Sequence, residues 1–124
     1  MVKLLIVDDE EDVREFAANF FRKRKIDVTT ASSGEEACTL VEAQKPDMVL
    51  LDIKMSGMDG IETLRRIKEL NNELKVIMVT GRKPDEEGVF EKCRQLGAIA
   101  YVHKPLELDE LERIVLNYLF PPKK

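Results

Sequence analysis

Short apolar runs alternate along the chain with segments in which apolar residues recur at helical spacing. The runs are KLLIV (3–7), DVTT (27–30), DMVLL (47–51), KVIMVT (75–80) and AIAYV (98–102). Their near-continuous apolarity is that of strands covered on both faces. Val13, Phe16, Ala17, Phe20 and Phe21 stand at i, i+3, i+4, i+7 and i+8, which predicts a first helix whose whole apolar stripe faces a sheet. Ser32 and Ser33 each precede a glutamate by three residues, the spacing of a capping box, ahead of Ala37, Leu40 and Val41. A third helix follows Asp59-Gly60 with Ile61, Leu64 and Ile67. A fourth carries Val89, Phe90, Cys93 and Leu96 and stops at Gly97, a residue suited to a left-handed cap. The fifth holds Leu111, Ile114, Val115 and Tyr118, and Pro121-Pro122 ends it. Gly88 would cost a helix interior about 1 kcal/mol relative to alanine, so 81–88 is expected to be loop or frayed helix. Five strands alternating with five helices predict an α/β fold, a five-stranded parallel doubly wound sheet with right-handed crossovers.

The chain has 124 residues, enough for one domain with a real core, drawn at 1–120 with 121–124 as a tail or the start of a linker. Hydrophobic residues at 44% and charged residues at 35% fit a globular chain and argue against disorder. No apolar run approaches the length of a membrane span, and residues 1–12 turn acidic where a signal peptide needs its apolar core, so a cytoplasmic location is expected. Cys38 and Cys93 read as unpaired buried thiols. A net charge of -4 disfavours direct binding of nucleic acid. The basic run 22–25 closes the first helix, where cations complement the dipole.

Chemistry enters at the strand ends. KLLIVDDEED, 3–12, runs an apolar strand into five consecutive carboxylates. The first strand thus ends in Asp8-Asp9, the third in Asp52, the fourth in Thr80, and Lys104 follows the fifth. In the flavodoxin-like order 2-1-3-4-5 the first and third strands are neighbours, and ligands bind where strand order reverses, so Asp8, Asp9 and Asp52 crowd together there. Like charges about 4 Å apart repel by roughly 4 kcal/mol near a protein surface. A hard divalent cation such as Mg2+ relieves that deficit with oxygen ligands, whereas zinc would want His or Cys. Glu10, Glu11 and Asp12 are assigned to the first turn of the first helix, whose dipole favours acids. An ionised Asp52 is already a nucleophile and needs no general base. It is placed to attack phosphorus in line, with Mg2+ and Lys104 holding the equatorial oxygens and the Thr80 hydroxyl donating to one of them.

At these residues the chain resembles the receiver domain of two-component response regulators of the chemotaxis-regulator type. The resemblance rests on IVDDEED (6–12), LDIKMSGMDG (51–60), VTG (79–81), GA (97–98) and YVHKP (101–105), in order and over nearly the whole chain. It implies a signalling phosphoacceptor that catalyses only its own phosphorylation and dephosphorylation, taking a phosphoryl group from a sensor histidine kinase or phosphotransfer protein onto Asp52. It further implies Mg2+ bound by Asp9, Asp52 and the Lys54 carbonyl, with Asp8 acting through water. Thr80 and Tyr101 look like the family's switch pair, and Lys104-Pro105 like its cis peptide. The side chains that tune phosphoryl lifetime correspond to Lys54 and Arg82. The implied output surface is the face of the fourth helix, fifth strand and fifth helix, met by an effector or a second copy; the surplus of Leu106, Leu108, Leu116 and Leu119 fits such a surface. Ser56 replaces a usual proline, and Gly81 a common alanine.

Two other readings compete. A haloacid-dehalogenase-like phosphatase also uses an aspartate after its first strand, with Asp8 and Glu10 in alternation, but leaves Asp52 without a purpose. A flavodoxin-like binding module shares the topology, yet an acidic loop repels a flavin phosphate.

Overall fold

The computed structural model describes residues 2–55, 57–81 and 88–120. Ten elements alternate along it: β1 (Lys3–Val7), α1 (Glu11–Arg22), β2 (Asp27–Ala31), α2 (Gly34–Gln44), β3 (Met48–Asp52), α3 (Gly60–Leu70), β4 (Lys75–Thr80), α4 (Val89–Gln95), β5 (Ala100–His103) and α5 (Leu108–Leu119). All strand pairs are parallel and the order is β2-β1-β3-β4-β5, as the alternation of runs predicted. The fifth strand begins at Ala100, later than the run at 98 suggested. Ala98 and Ile99 are spent on the exit from α4, where Gly97 takes φ +105° and the Ala98 N–H donates to the Cys93 carbonyl.

Period-two alternation divides the core between the two sheet faces. Leu5, Val7, Val49, Leu51, Val76 and Met78 meet α2, α3 and α4 on one side. Leu4, Ile6, Met48, Leu50, Ile77 and Val79 meet α1 and α5 on the other. Every residue of β3 is buried, which is why its sequence shows no polar alternation. The capping box of α2 is shared between two serines. The Ser33 hydroxyl accepts from the Glu36 N–H at 3.1 Å, while the Glu36 carboxylate accepts from the Ser32 N–H at 2.7 Å. Asp59 caps α3 by accepting from the Glu62 N–H at 2.9 Å.

Two surface expectations are corrected. Phe16 does not face the sheet but is 60% exposed, and Ala17, Ala18 and Phe21 carry the buried stripe of α1. The stripe lies toward Ala18 because short residues there let α1 approach the sheet, leaving Phe16 at its edge. Tyr118 is also partly exposed, donating its hydroxyl to the Ile99 carbonyl at 3.3 Å. Leu106, Leu108, Leu116 and Leu119 are only partly buried, packing in part against the α1–α5 side of the core. The expected loop or frayed helix over 81–88 falls largely on 82–87, outside the described residues. Gly88 itself precedes α4 with φ +68°, a conformation that spares it the helix-interior cost. The cysteines are unpaired as expected, Cys93 buried and Cys38 half-buried.

Glycine at position 60 is required by close packing. A Cβ there would stand 2.3 Å from the Asp52 carbonyl oxygen and 2.5 Å from the Ile53 Cα, while the Gly60 N–H donates to the Ile53 carbonyl at 2.8 Å. The first turn of α3 therefore rests directly on the backbone that carries Asp52. Gly81 has open space on its Cβ side. We expect Gly60→Ala to cost about 2–3 kcal/mol of unfolding free energy, because the obstruction is backbone that cannot rotate away. Gly81→Ala should stay within about 0.5 kcal/mol of wild type. Urea denaturation of the two variants measures the contrast.

Candidate functional site

Register brings the acids together. Val7 pairs with Leu51 across the β1–β3 boundary, so the residues that follow, Asp8 and Asp52, emerge side by side where the strand order reverses. Both are 3% exposed. Asp9 lies just outside them and is exposed. One carboxylate oxygen from each of Asp8, Asp9 and Asp52 lies within 4.8 Å of the others. Thr80, 1% exposed, ends β4 beside β3 and opposite His103 of β5. The Lys104 N–H donates to the Thr80 carbonyl at 2.8 Å, which fixes the start of the loop carrying the lysine. Lys104 precedes Pro105 through a cis peptide, as the family resemblance implied.

The Lys104 ammonium reaches back across the sheet edge. Its Nζ lies 3.2 Å from Asp8 Oδ2, 3.3 Å from Asp52 Oδ2 and 3.2 Å from Glu10 Oε1. Asp8 is held from several sides. Its N–H donates to the Ala31 carbonyl at 3.1 Å, its Oδ1 accepts from the Glu10 N–H at 2.9 Å, and its carbonyl accepts from the Arg14 guanidinium at 2.9 Å. Arg14 was not singled out from the sequence, although a cation one turn into a helix that follows an acidic strand end was a usable signal. Glu10 also departs from expectation. It is the N-cap of α1 and not part of its first turn, which holds Glu11 and Asp12; its side chain makes no cap hydrogen bond and turns to Lys104 instead.

Electrostatics follow from burial. Loss of water and the neighbouring Asp8 push the Asp52 carboxyl up to about 6, against the pull of Lys104 and the Lys54 backbone N–H. Burial also works against the Lys104 charge, but Asp52 and Asp8 outweigh it and hold the ammonium above the usual lysine range. An oxygen-only donor set with surplus negative charge and no His or Cys suits a hard cation of the Mg2+ kind.

The remaining expected site residues lie further out. Lys54 follows Asp52 by two residues and exposes its side chain. Tyr101 sits on β5 and packs on α4, its ring stacked on Phe90 at 4.2 Å between centroids and its hydroxyl donating to the Phe90 carbonyl. Phe90 also meets His103 edge-on at 5.4 Å. Arg82 and Ser56 lie outside the described residues. Beside the acids, Asp12, Val13, Phe16, Lys104, Pro105 and Leu106 line a surface pocket of about 460 Å³. No helix among the described residues is long and apolar enough to cross a membrane.

The raised Asp52 value has a stability consequence. Between about pH 4 and 6 the folded protein keeps a proton on Asp52 that the unfolded chain has released. Stability therefore falls as pH rises through that window, and the penalty is complete above it. In a chelator at pH 7.5, Asp52→Asn should be more stable than wild type by about 1–3 kcal/mol, with the gap closing by pH 4. Equal denaturation midpoints at pH 7.5 would contradict this electrostatic account.

Comparison with known proteins is consistent along the chain. The response regulator receiver domain family matches residues 4–116. Sporulation initiation phosphotransferase F of Bacillus subtilis is 37% identical over 117 residues, 94% of this chain and 93% of that protein. Among longer curated relatives, the chain spans only 25% to 51% of their length. A two-component response regulator from Clostridium difficile superposes with a TM-score of 0.91 at 25% identity, covering 98% of both chains. The CheX-CheY-BeF3-Mg2+ complex from Borrelia burgdorferi contains a chain that superposes at 0.88 with 30% identity, covering 95% of this chain and 89% of that one. The chain belongs to the response regulator receiver domain family, a signalling family whose members are phosphorylated on aspartate with Mg2+.

Proposed function

We propose that Asp52 is the phosphoacceptor of this receiver domain. The observation that carries the reading is a buried aspartate at the β1–β3 switch point, touched by one ammonium and flanked by two further acids. Asp9, Asp52 and the Lys54 carbonyl would hold Mg2+, with Asp8 beside them. The ion supplies positive charge that lets carboxylates and phosphoryl oxygens share one site. An Asp52 oxygen attacks phosphorus, the bond from phosphorus to the donor nitrogen or oxygen breaks, and the leaving group departs with that electron pair. Lys104 donates to an arriving phosphoryl oxygen, and the Thr80 hydroxyl donates to another. No side chain need remove a proton, because Asp52 attacks ionised. The domain thus catalyses its own phosphorylation and dephosphorylation and turns over no separate substrate. The Mg2+ and BeF3 named for the Borrelia burgdorferi complex support this reading by likeness.

Receiver domains interact with histidine kinases or phosphotransfer proteins. Here we assign the donor's landing place to the pocket at Phe16, since a protein that delivers phosphorus to Asp52 must cover the adjoining rim, and Phe16 with Val13, Pro105 and Leu106 is the apolar part of it. Tyr101 is the output side. Movement of Thr80 toward a phosphoryl group and of Tyr101 against α4 alters the α4–β5–α5 face, where an effector or a second copy binds. Lys54, two residues after the acceptor, slows hydrolysis of the phosphoryl group, and the resemblance gives the position of Arg82 the same role.

Acetyl phosphate with Mg2+ should add one phosphoryl group to the wild type and none to Asp52→Ala, read by intact mass. Phosphate retained on the alanine variant would refute the assignment. Phe16→Ala should accept from acetyl phosphate at the wild-type rate but from a phosphorylated histidine kinase about tenfold more slowly, the usual penalty for truncating an interface anchor. Transfer from the kinase at an unchanged rate would remove this pocket from the donor's path.

A further inference from the structure

Glu10 is a side chain that neither the fold nor the phosphoacceptor chemistry uses. It occupies the N-cap position of α1, where Ser, Thr, Asp or Asn would serve, and gives its helix no side-chain cap. Its backbone is nonetheless fixed, because its N–H donates to Asp8 Oδ1 at 2.9 Å. The carboxylate extends over the mouth of the acidic site to Lys104 Nζ at 3.2 Å. An ammonium has three N–H donors. Those of Lys104 face Asp8, Asp52 and Glu10. The two aspartate side chains are 4% exposed and held by the sheet edge, whereas the Glu10 side chain is 63% exposed. Of the three partners, only Glu10 can leave into water.

We propose that Glu10 is an internal competitor for Lys104, a carboxylate that holds the ammonium until a phosphoryl oxygen displaces it, and that it thereby sets how readily the site accepts small phosphodonors. The inference rests on the reading of Asp52 as acceptor and Lys104 as its phosphoryl contact. A phosphoryl group arriving at Asp52 needs a donor bond from Lys104. Two of the lysine's bonds are committed to buried carboxylates, so the bond to Glu10 is the one given up. Glu10 thus opposes phosphorylation twice, by occupying the lysine and by repelling an anionic donor at the mouth. Because the pair is exposed at one end, displacement costs a modest factor, about two- to fivefold.

Three variants separate the contact from the charge. Glu10→Gln removes the charge, Glu10→Ala removes the side chain, and Glu10→Asp keeps the charge on a chain one methylene shorter that no longer reaches Lys104. With saturating Mg2+, acetyl phosphate should modify Glu10→Ala and Glu10→Asp about two- to fivefold faster than wild type. Beryllofluoride, titrated by fluorine NMR, should bind both more tightly by a similar factor, and Glu10→Gln should be at least as fast as Glu10→Asp. Wild-type rates and affinities in Glu10→Asp, with gains only in Glu10→Gln and Glu10→Ala, would overturn displacement in favour of a distant field effect. Unchanged behaviour in all three would overturn the proposal outright. A wild-type protein that takes neither acetyl phosphate nor beryllofluoride would instead refute the acceptor reading beneath it.

Discussion

Negative charge gathered at one edge of a parallel sheet is the constraint around which the rest is arranged. Asp8 and Asp52 are nearly sealed from water and adjacent, and first that burial and then their repulsion raise the proton affinity of Asp52 even with Lys104 in contact. A fold ordinarily avoids such a pair. Here the cost is kept tolerable by a lysine on the neighbouring side, by backbone N–H groups from Glu10 and Lys54, and by an oxygen-rich mouth open to a cation. The apolar strands on either face supply the stability that allows this local strain: β1, β3 and β4 are almost wholly buried.

Much of this was legible because a parallel sheet reports its own ends. A buried strand reads as an apolar run, and the first polar residues after each run mark the carboxyl edge, where Asp8, Asp52, Thr80 and Lys104 all fall. Family resemblance added the roles of Lys54 and Tyr101, which no spacing rule supplies. Side-chain direction was not legible. Periodicity placed Phe16 in the buried stripe because it stands three residues after Val13, yet the helix turns about Ala17 and Ala18, and small residues carry too little weight in a hydrophobic pattern to reveal that. Glu10 was assigned to the first helical turn because an acid is welcome there, a preference that does not say whether its carboxylate serves the helix or its neighbour. The demand for glycine at 60 arises from α3 meeting β3's last peptide, a contact between segments that sequence pattern treats separately.

The two sheet faces differ in what they present near the acidic edge. The α1 side carries the exposed apolar rim next to Asp52, and the α4 side carries the stack of Tyr101 on Phe90. Both reach the same edge of the sheet from opposite layers. Leu106 belongs to the core cluster on the α1–α5 face, whereas Phe90 and Tyr101 pack against the cluster on the other.

The backbone hydrogen bond from Lys104 to Thr80 gives the edge a mechanical character. It extends the β4–β5 ladder by one rung past Thr80 and His103, so the lysine and the threonine sit on a common rigid bar. A pull on the Thr80 hydroxyl cannot slide one strand past the other without breaking that rung. That tie holds the spacing between the two strand ends whatever occupies the acidic edge beside them.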